Sequence, residues 1–255
     1  MWDRASTGER SARSRLVSSV RDGILWLARH PSVSTNGNQS KMSTWIKFCG
    51  TTSLDDALAS IDAGADALGF IFAPSKRRVT SEQAQAIIRE LPRGVEKIGV
   101  FMNSTAAEIA SIVSMVELTG IQMHGEEFPP EVYAYLPKDR RDNMRKIKTI
   151  QVRNGFERDF GRFATEPGTV DAWLLDSGAG SGKTFDWQGA RAQLGEQQRQ
   201  FVIAGGLTPE NVGEAIRTFN PWGVDVVSGV EREPGRKDPE KLKAFVAAVR
   251  RAEQI

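Results

Sequence analysis

The stretch WIKFCGTTSLDDALASIDAGADALGFIF, residues 45–72, contains one complete strand–helix–strand pattern. Two apolar runs of strand length and composition, Trp45–Cys49 and Ala67–Phe72, enclose a segment whose apolar residues recur at helical spacing. That segment opens with Ser53-x-x-Asp56, which has the spacing of a capping box, where side chains bond the free amides of a first helical turn. The stretch therefore predicts one βα unit and the strand that follows it.

The same alternation continues to the C terminus, with six more strand-like runs and a helical pattern after each. The runs are Lys97–Phe101, Leu118–Met123, Lys146–Val152, Ala172–Leu175, Phe201–Ala204 and Val224–Val227. Further helix starts are indicated by Thr80-x-x-Gln83, Thr105-x-x-Glu108, Thr208-Pro209 and Asp238-Pro239. Eight strands and eight helices in about 210 residues suit a compact (β/α)₈ barrel. We predict an α/β fold, a single (β/α)₈ TIM barrel; a doubly wound open sheet stays as the alternative, because periodicity cannot show closure.

Composition narrows the classes of function. With 255 residues, 40 % of them hydrophobic, the chain is long enough for one sizeable core. A net charge of only +2 argues against a nucleic-acid partner, which needs a concentrated basic excess. One cysteine excludes an internal disulfide, and with two histidines it argues against a metal site. No apolar run approaches the roughly 20 residues that span a bilayer, so we expect a cytoplasmic protein with no membrane partner.

The first 41 residues differ from the rest. They hold seven basic and three acidic residues, a net +4, so the remainder of the chain carries −2. We interpret residues 1–41 as a poorly ordered extension or a mis-assigned start, with Met42 as the sensible start of a barrel domain at 42–255. An organelle presequence is the third interpretation, but such segments contain almost no acidic residues. One short helix around Val17–Leu27 fits either view.

In (β/α)₈ barrels the chemistry lies at the carboxyl ends of the strands, and the loops after strands seven and eight commonly bind phosphate. Gly205-Gly206 follows the seventh predicted strand, and Ser228-Gly229 ends the eighth. Glycines there allow backbone N–H groups to approach phosphate oxygens. A Gly-Gly pair alone is as often a plain tight turn. Two such loops at the two expected places favour a phosphate ligand.

Cys49 and Asp176 are the candidate proton-transfer residues. Residues two apart in a strand share a face, so Lys47 and Cys49 point the same way, and we expect the ammonium to favour a thiolate. Asp176 ends the sixth run, where a carboxylate either caps the next loop or faces the mouth. A lone cysteine is usually an inert small hydrophobe, but its place at the mouth, before Gly50, favours function. A base and an acid would then flank a substrate.

Two further residues are candidates for binding a substrate. Arg77, which follows the second strand, has the planar fork that binds a carboxylate, although a solvated basic turn is a common alternative. His124 follows the fourth strand and either lines the mouth or serves structurally.

The run Ser177–Thr184 looks like a phosphate-binding P-loop. That motif needs glycine where Ser177 stands and a helix starting at once after Gly182-Lys183-Thr184, whereas the next cap is Asp186. We interpret it as a Gly-rich loop over the mouth and keep nucleotide binding as a minor alternative.

Several of these motifs occur together, in order, in one known family. They are Lys47-Phe48-Cys49-Gly50, Gly69-Phe70-Ile71-Phe72 with Ser75-Lys76-Arg77, Gln122-Met123-His124-Gly125, Leu174-Leu175-Asp176 with Gly180–Trp187, Ala204-Gly205-Gly206-Leu207, and Ser228-Gly229-Val230-Glu231 with Pro234–Asp238. From Lys47 to about Val249 the chain resembles the phosphoribosylanthranilate isomerases of tryptophan biosynthesis. Lys-x-Cys-Gly on the first strand is the most specific element. Val227 departs from the family, which usually has a serine there.

The resemblance implies an Amadori rearrangement of a phosphosugar, with no metal or organic cofactor. It implies that Asp176 protonates the furanose ring oxygen and that Cys49 takes the proton from C2′. It also implies that Arg77 holds the anthranilate carboxylate, and that Gly206, Ser228 and Gly229 hold the phosphate.

Three other functions stay open at this point. One is another phosphosugar-binding TIM-barrel isomerase, which would use a pair of aspartates and place Asp where Cys49 stands. The others are a P-loop nucleotide binder and a phosphosugar-binding scaffold without turnover. A homodimer and a monomer are equally compatible with the sequence.

Overall fold

The computed structural model describes residues 43–163, 166, 168–178, 184–195 and 200–254. The predicted extension at 1–41, with its Val17–Leu27 helix, lies outside the described residues, and so do residues 179–183 of the Gly-rich loop.

Eight parallel strands form a closed barrel in which each strand pairs with its neighbour in chain order. They are β1 (Trp45–Cys49), β2 (Ala67–Ile71), β3 (Glu96–Phe101), β4 (Gly120–Met123), β5 (Arg145–Gln151), β6 (Ala172–Asp176), β7 (Phe201–Ile203) and β8 (Gly223–Val226). Pairing of β1 with β8, which puts Lys47 opposite Asp225, closes the ring. The (β/α)₈ prediction is confirmed, and the doubly wound alternative is wrong. Each predicted strand lies within two residues of its observed bounds.

Helices alternate with the strands. They are α1 (Leu54–Ala63), α2 (Ser81–Arg89), α3 (Ala106–Met115), α4 (Pro129–Tyr135), α5 (Lys138–Arg141), α6 (Glu157–Phe163), α7 (Trp187–Leu194), α8 (Val212–Phe219) and α9 (Pro239–Ala252). Between β8 and α9 the chain forms a 3₁₀ turn (Ser228–Val230) and a small antiparallel hairpin, β9 (Glu231–Glu233) and β10 (Arg236–Lys237). This hairpin lies beyond the repeating βα pattern.

The predicted helix starts are confirmed with one exception. Thr80 and Thr105 form complete capping boxes, and Asp238 caps α9. Thr208-Pro209 is not the start of α8, which begins three residues later at Val212. The reason is a local turn: the Asn211 side chain accepts a bond from the Thr208 amide at 2.8 Å and so competes with the helix backbone.

The barrel interior changes from apolar to polar toward the carboxyl ends of the strands. Its apolar layer contains Trp45, Ala67, Ile98, Ile147, Ala172, Leu174, Val202 and Ala204. Because residues two apart share a face, the next inward position on β1 is Lys47 and the one after it is Cys49. The alternate residues, such as Phe48 and Leu68, are buried in the larger core between strands and helices. The sequence therefore brings its inward-facing polar residues together at the mouth of the barrel.

Candidate active site

A cavity of about 590 Å³ opens at the carboxyl ends of the strands. Its lining includes seven of the eight predicted site residues, namely Cys49, Arg77, His124, Asp176, Gly205, Gly206 and Ser228. The eighth, Gly229, lies directly behind the cavity wall, against the backbone of Leu207. Residues far apart in sequence thus share one site at the end of the barrel where chemistry was predicted.

A second depression, of about 370 Å³, lies at the opposite end of the barrel. Arg145, which lines this depression, donates hydrogen bonds to both carboxylate oxygens of Glu96, at 2.7 and 2.8 Å. Catalysis in this fold takes place at the other end, and we place the active site there.

Cys49 ends β1 with its side chain in the barrel and is almost completely buried. The neighbouring strand provides its room: a Cβ atom on Gly69 of β2 would lie 2.5 Å from the Cys49 sulfur. The next residue, Gly50, has a φ of +78°, and a Cβ there would lie 2.6 Å from Cδ of Arg77. Only glycine fits both constraints at position 50, so the chain turns away after Cys49 and lets Arg77 pack over the turn.

Burial and Lys47 have opposite effects on the pKa of Cys49. Burial raises the pKa of the Cys49 thiol above its usual value, although Lys47 opposes this effect. Lys47 donates to Asp225 at 2.9 Å deep in the barrel, so much of its charge is already compensated. Burial by itself would lower the pKa of Lys47, but Asp225 and Cys49 raise it. Lys47 does favour the thiolate, as the sequence indicated, but burial outweighs it and the pKa of Cys49 lies above its usual value.

Removing the partner of Lys47 is expected to destabilise the barrel. In Asp225→Asn the Lys47 side chain, which has no solvent exposure, loses its counter-ion and is left as an uncompensated buried amine. We expect a loss of about 3–5 kcal/mol in unfolding free energy, measured by urea denaturation. The double change Lys47→Met with Asp225→Leu is expected to recover most of it, and equal losses in the single and double variants would contradict this account.

Asp176 lies at the end of β6, three strands from β1 around the ring. One of its oxygens accepts from the Ser177 hydroxyl at 3.3 Å and from the Gly178 amide at 3.1 Å. The other oxygen lies 3.8 Å from Nε2 of His124, and both residues line the cavity. One oxygen is thus held by the start of the loop, while the other is available for a proton.

His124 is held in place by side chains at the floor of the cavity. Its Nδ1 lies 3.3 Å from the Gln122 side-chain nitrogen and 3.4 Å from the Thr149 hydroxyl. Burial lowers the pKa of His124, and Asp176 only partly offsets that effect. The ring is therefore neutral at neutral pH, so it leaves Asp176 without a full counter-charge.

Arg77 faces the cavity from the turn after β2, and its guanidinium is already oriented by a carboxylate. Its Nε lies 2.8 and 3.1 Å from the two oxygens of Glu231, and its Nη2 lies 2.6 Å from one of them. The solvated basic turn considered from the sequence does not describe Arg77, whose side chain is only 18 % exposed.

The loops after β7 and β8 contact each other. Gly205 and Gly206 have φ values of +79° and +66°, and their amides bond no other described residue. Opposite them, the 3₁₀ turn at Ser228 presents its first amides, which helix geometry leaves without internal partners. A Cβ on Gly229 would overlap the Leu207 carbonyl oxygen, so glycine is what allows the approach. Gly205, Gly206 and Ser228 all line the cavity, so the backbone of both loops borders it.

The Gly-rich loop after β6 is described only in part. Residues 179–183, with Lys183, lie outside the described residues. Thr184 to Asp186 are not helical, and α7 starts at Trp187, where Asp186 caps it by accepting from Gly189. A P-loop requires its helix to start at the Lys-Thr pair, so the described part of the loop does not match that motif.

Four residues at the site were missed by the sequence reasoning: Gly69, Asp225, Glu231 and Lys237. Asp225 carried a usable signal, since a carboxylate within Val224–Val227 must either be paired or face the mouth. A glycine inside a strand, such as Gly69, often marks a close approach. Glu231 and Lys237 belong to a hairpin outside the βα repeat, and their only sequence signal was that they lie within the family motifs Ser228–Glu231 and Pro234–Asp238.

None of the helices in the described residues is both long and apolar enough to cross a membrane. Within the same residues, no group of three or more His, Cys, Asp and Glu side chains is arranged to hold a metal ion.

The chain is similar to known proteins in both sequence and structure. Residues 46–248 match the family model described as N-(5′-phosphoribosyl)anthranilate (PRA) isomerase. The isomerase of Magnetococcus marinus is 42 % identical over 216 residues, which cover 83 % of this chain and 98 % of that one. Among solved structures, the Thermus thermophilus phosphoribosyl anthranilate isomerase is 33 % identical, with a TM-score of 0.71, and the match covers 82 % of this chain and 99 % of that one.

A second solved isomerase was crystallised with reduced 1-(o-carboxyphenylamino)-1-deoxyribulose 5-phosphate. It is 37 % identical, with a TM-score of 0.66, and the match covers 81 % of this chain and 98 % of that one. The chain belongs to the N-(5′-phosphoribosyl)anthranilate isomerase family.

Proposed function

We propose that this chain converts N-(5′-phosphoribosyl)anthranilate to 1-(o-carboxyphenylamino)-1-deoxyribulose 5-phosphate, the isomerisation step of tryptophan biosynthesis. One observation carries the proposal: Cys49, Asp176 and Arg77 line a single cavity that the backbone of the loops after β7 and β8 also borders. That set supplies a base, an acid, a carboxylate binder and a phosphate binder, which this substrate requires. Family membership supports the same reaction.

The phosphate sets the orientation of the substrate. Amides of Gly205 and Gly206, with those at Ser228 and Gly229, bind the dianion through the backbone, helped by the start of the 3₁₀ turn. Since backbone groups do this work, the departure from the family at Val227 has little consequence. The sugar then extends from the phosphate loops toward Cys49 and Asp176.

Ring opening is the first chemical step. Asp176, protonated on the oxygen nearer His124, gives its proton to the furanose ring oxygen. The ring C–O bond at C1′ breaks, and the nitrogen lone pair forms the C=N bond of a protonated Schiff base. The bonds from Ser177 and Gly178 keep the carboxyl group in place during this transfer.

Proton removal from C2′ is the second step. Cys49, after losing its own proton, takes the C2′ proton as a thiolate, and the electron pair flows to the Schiff base nitrogen. The resulting enolamine gains a proton at C1′ as its C2′ hydroxyl becomes the ketone. No atom is gained or lost overall, so acid and base suffice. Because the thiol is deeply buried, its thiolate is little solvated and therefore a strong base.

Arg77 holds the other end of the substrate. The edge of its guanidinium that Glu231 does not occupy is free to bind the anthranilate carboxylate in a bidentate pair. Phosphate at one end and carboxylate at the other then fix the sugar between acid and base.

The direct test is turnover of freshly prepared phosphoribosylanthranilate, followed by the decay of its anthranilate fluorescence. The full chain is expected to accelerate this decay and to release the aminoketose as the only product. A folded protein that leaves the decay at the background rate would overturn the proposed function.

The phosphate loops give a further prediction. In Gly229→Ala the new Cβ would meet the Leu207 backbone and force the two loops apart. We expect KM to rise about tenfold or more, because the amides no longer converge on the phosphate. Gly161→Ala in α6, where nothing lies within 4 Å of the new Cβ, is the matched control and is expected to leave KM unchanged. An unchanged KM in Gly229→Ala would contradict the phosphate assignment.

A further inference from the structure

The β9–β10 hairpin inserts one carboxylate into the wall of the active site. Glu231, on β9, is 6 % exposed and binds Arg77 through both of its oxygens. One of those oxygens also accepts from the Gly235 amide at 3.2 Å. Burial would raise the pKa of Glu231, but Arg77 and Lys237 lower it, so the group is a carboxylate at neutral pH. It is thus a fixed anion with its partners already in place.

The way Glu231 binds Arg77 determines which N–H donors of the guanidinium remain free to bind a substrate. Glu231 takes the side of the guanidinium formed by Nε and Nη2. Arginine has five N–H donors in a planar fork, so its other edge, formed by Nη1 and the second hydrogen of Nη2, stays available. Nη1 has no hydrogen-bond partner among the described residues, and Arg77 lines the cavity. The pairing therefore presents one complete bidentate edge to the substrate.

Lys237, on β10, connects this pair to the strand that carries the base. It is buried, lies 3.4 Å from Glu231, and donates to the backbone carbonyl of Cys49 at 2.6 Å. A weaker contact, at 3.5 Å, reaches the carbonyl of Val227 at the end of β8. One continuous chain of contacts thus runs from Arg77 through Glu231 and Lys237 to Cys49.

We propose that Glu231 and Lys237 are positioning residues: Glu231 fixes Arg77 for the carboxylate of the substrate, and Lys237 fixes the backbone of Cys49. The proposal rests on the proposed function. An arginine on a turn has several freely rotating bonds, and holding it in one geometry before binding removes an entropic cost of binding. The hairpin, which has no part in the barrel repeat, thereby sets the distance between the carboxylate site and the base.

The test uses two substrates that differ only in the carboxylate. Phosphoribosylanthranilate is compared with its carboxylate-free counterpart, N-(5-phosphoribosyl)aniline, in wild type and in Glu231→Gln. If Glu231 acts through Arg77, the variant is expected to raise KM for the natural substrate about tenfold and leave KM for the aniline substrate unchanged. The ratio of kcat/KM for the two substrates does not depend on how much of the protein is folded.

Controls separate this role from a general structural one. Glu233→Gln removes the same charge from an exposed position on the same strand and is expected to behave as wild type. Should Glu231→Gln fail to fold, Glu231→Asp, which keeps the charge but shortens the reach to Arg77, is measured by the same ratio. Equal changes for both substrates, no change, or a lower KM for the natural substrate would each overturn the role of Glu231.

Lys237→Met tests the second part of the proposal, that Lys237 fixes the backbone of Cys49. Arg77 keeps its carboxylate partner in this variant, while the carbonyl of Cys49 loses its buried donor. We expect kcat to fall about tenfold or more with KM unchanged, because the base is displaced and the binding groups are not. A rise in KM with kcat unchanged would overturn the link to Cys49. If the wild type itself gave no turnover, the proposed function would fail. The positioning roles are judged only by comparing the variants with an active wild type, so the two failures are distinguishable.

Discussion

Replacing Cys49 with Ser is expected to lower kcat by about 10³-fold, within the range that a general base contributes. Serine keeps the size of the side chain and its fit against Gly69, but its hydroxyl is far too weak an acid to become the base. Stopped assays of phosphoribosylanthranilate turnover measure the effect, and Cys49→Ala is expected to match it. Activity within tenfold of wild type in either variant would eliminate Cys49 as the base.

The pH profile identifies the same group independently. Since burial raises the pKa of the thiol, kcat/KM of the wild type should still be rising with pH above neutrality. Activity rises with pH because the thiol cannot take the C2′ proton while it is itself protonated. Neighbouring charges also act on this thiol: Lys47 and Lys237 lower its pKa, and Asp225 raises it. In Cys49→Asp the rise of kcat/KM is expected at lower pH, and the activity is expected to exceed that of Cys49→Ala. A pH profile that does not move in Cys49→Asp would mean that another group causes the rise.

Asp176→Asn is expected to lower kcat by about 10²- to 10⁴-fold, because the amide keeps the shape of the side chain but cannot deliver the proton to the ring oxygen. Binding should survive, since the phosphate and carboxylate sites are untouched. The Kd for reduced 1-(o-carboxyphenylamino)-1-deoxyribulose 5-phosphate, measured by calorimetry, is therefore expected to stay near the wild-type value. A large loss of affinity would mean that Asp176 binds the ligand and does not serve as the acid.

Isotope effects separate the two chemical steps. Cys49→Ser is expected to turn over substrate with deuterium at C2′ more slowly than ordinary substrate, because breaking the C2′–H bond limits the rate of this variant. Asp176→Asn is expected to show little effect, because ring opening limits it. Asp171→Asn, one residue before the start of the same strand, is the control and should behave as wild type. Equal isotope effects in both variants would contradict the assignment of one step to each residue.

The sequence by itself determined the repeat and the location of the chemistry. Strand runs, capping residues and their spacing are local properties, and Thr80 and Thr105 cap their helices as predicted. Local patterns failed where a side chain competed with the backbone, as Asn211 does before α8. Because strand ends meet at one face of a barrel, the positions of Cys49 and Asp176 along the chain already predicted a shared site.

Only the tertiary structure decided closure, charge state and partners. Closure of the barrel depends on the pairing of β1 with β8. These strands lie some 180 residues apart, and the sequence of neither one indicates the other as its partner. Lys47 favours the thiolate as the sequence indicated, but burial, which the sequence did not show, raises the pKa of the thiol by more. Glu231 reaches Arg77 across 154 positions. Burial and long-range pairing set the energy of every charge in this site, and neither is a property of a short stretch of sequence.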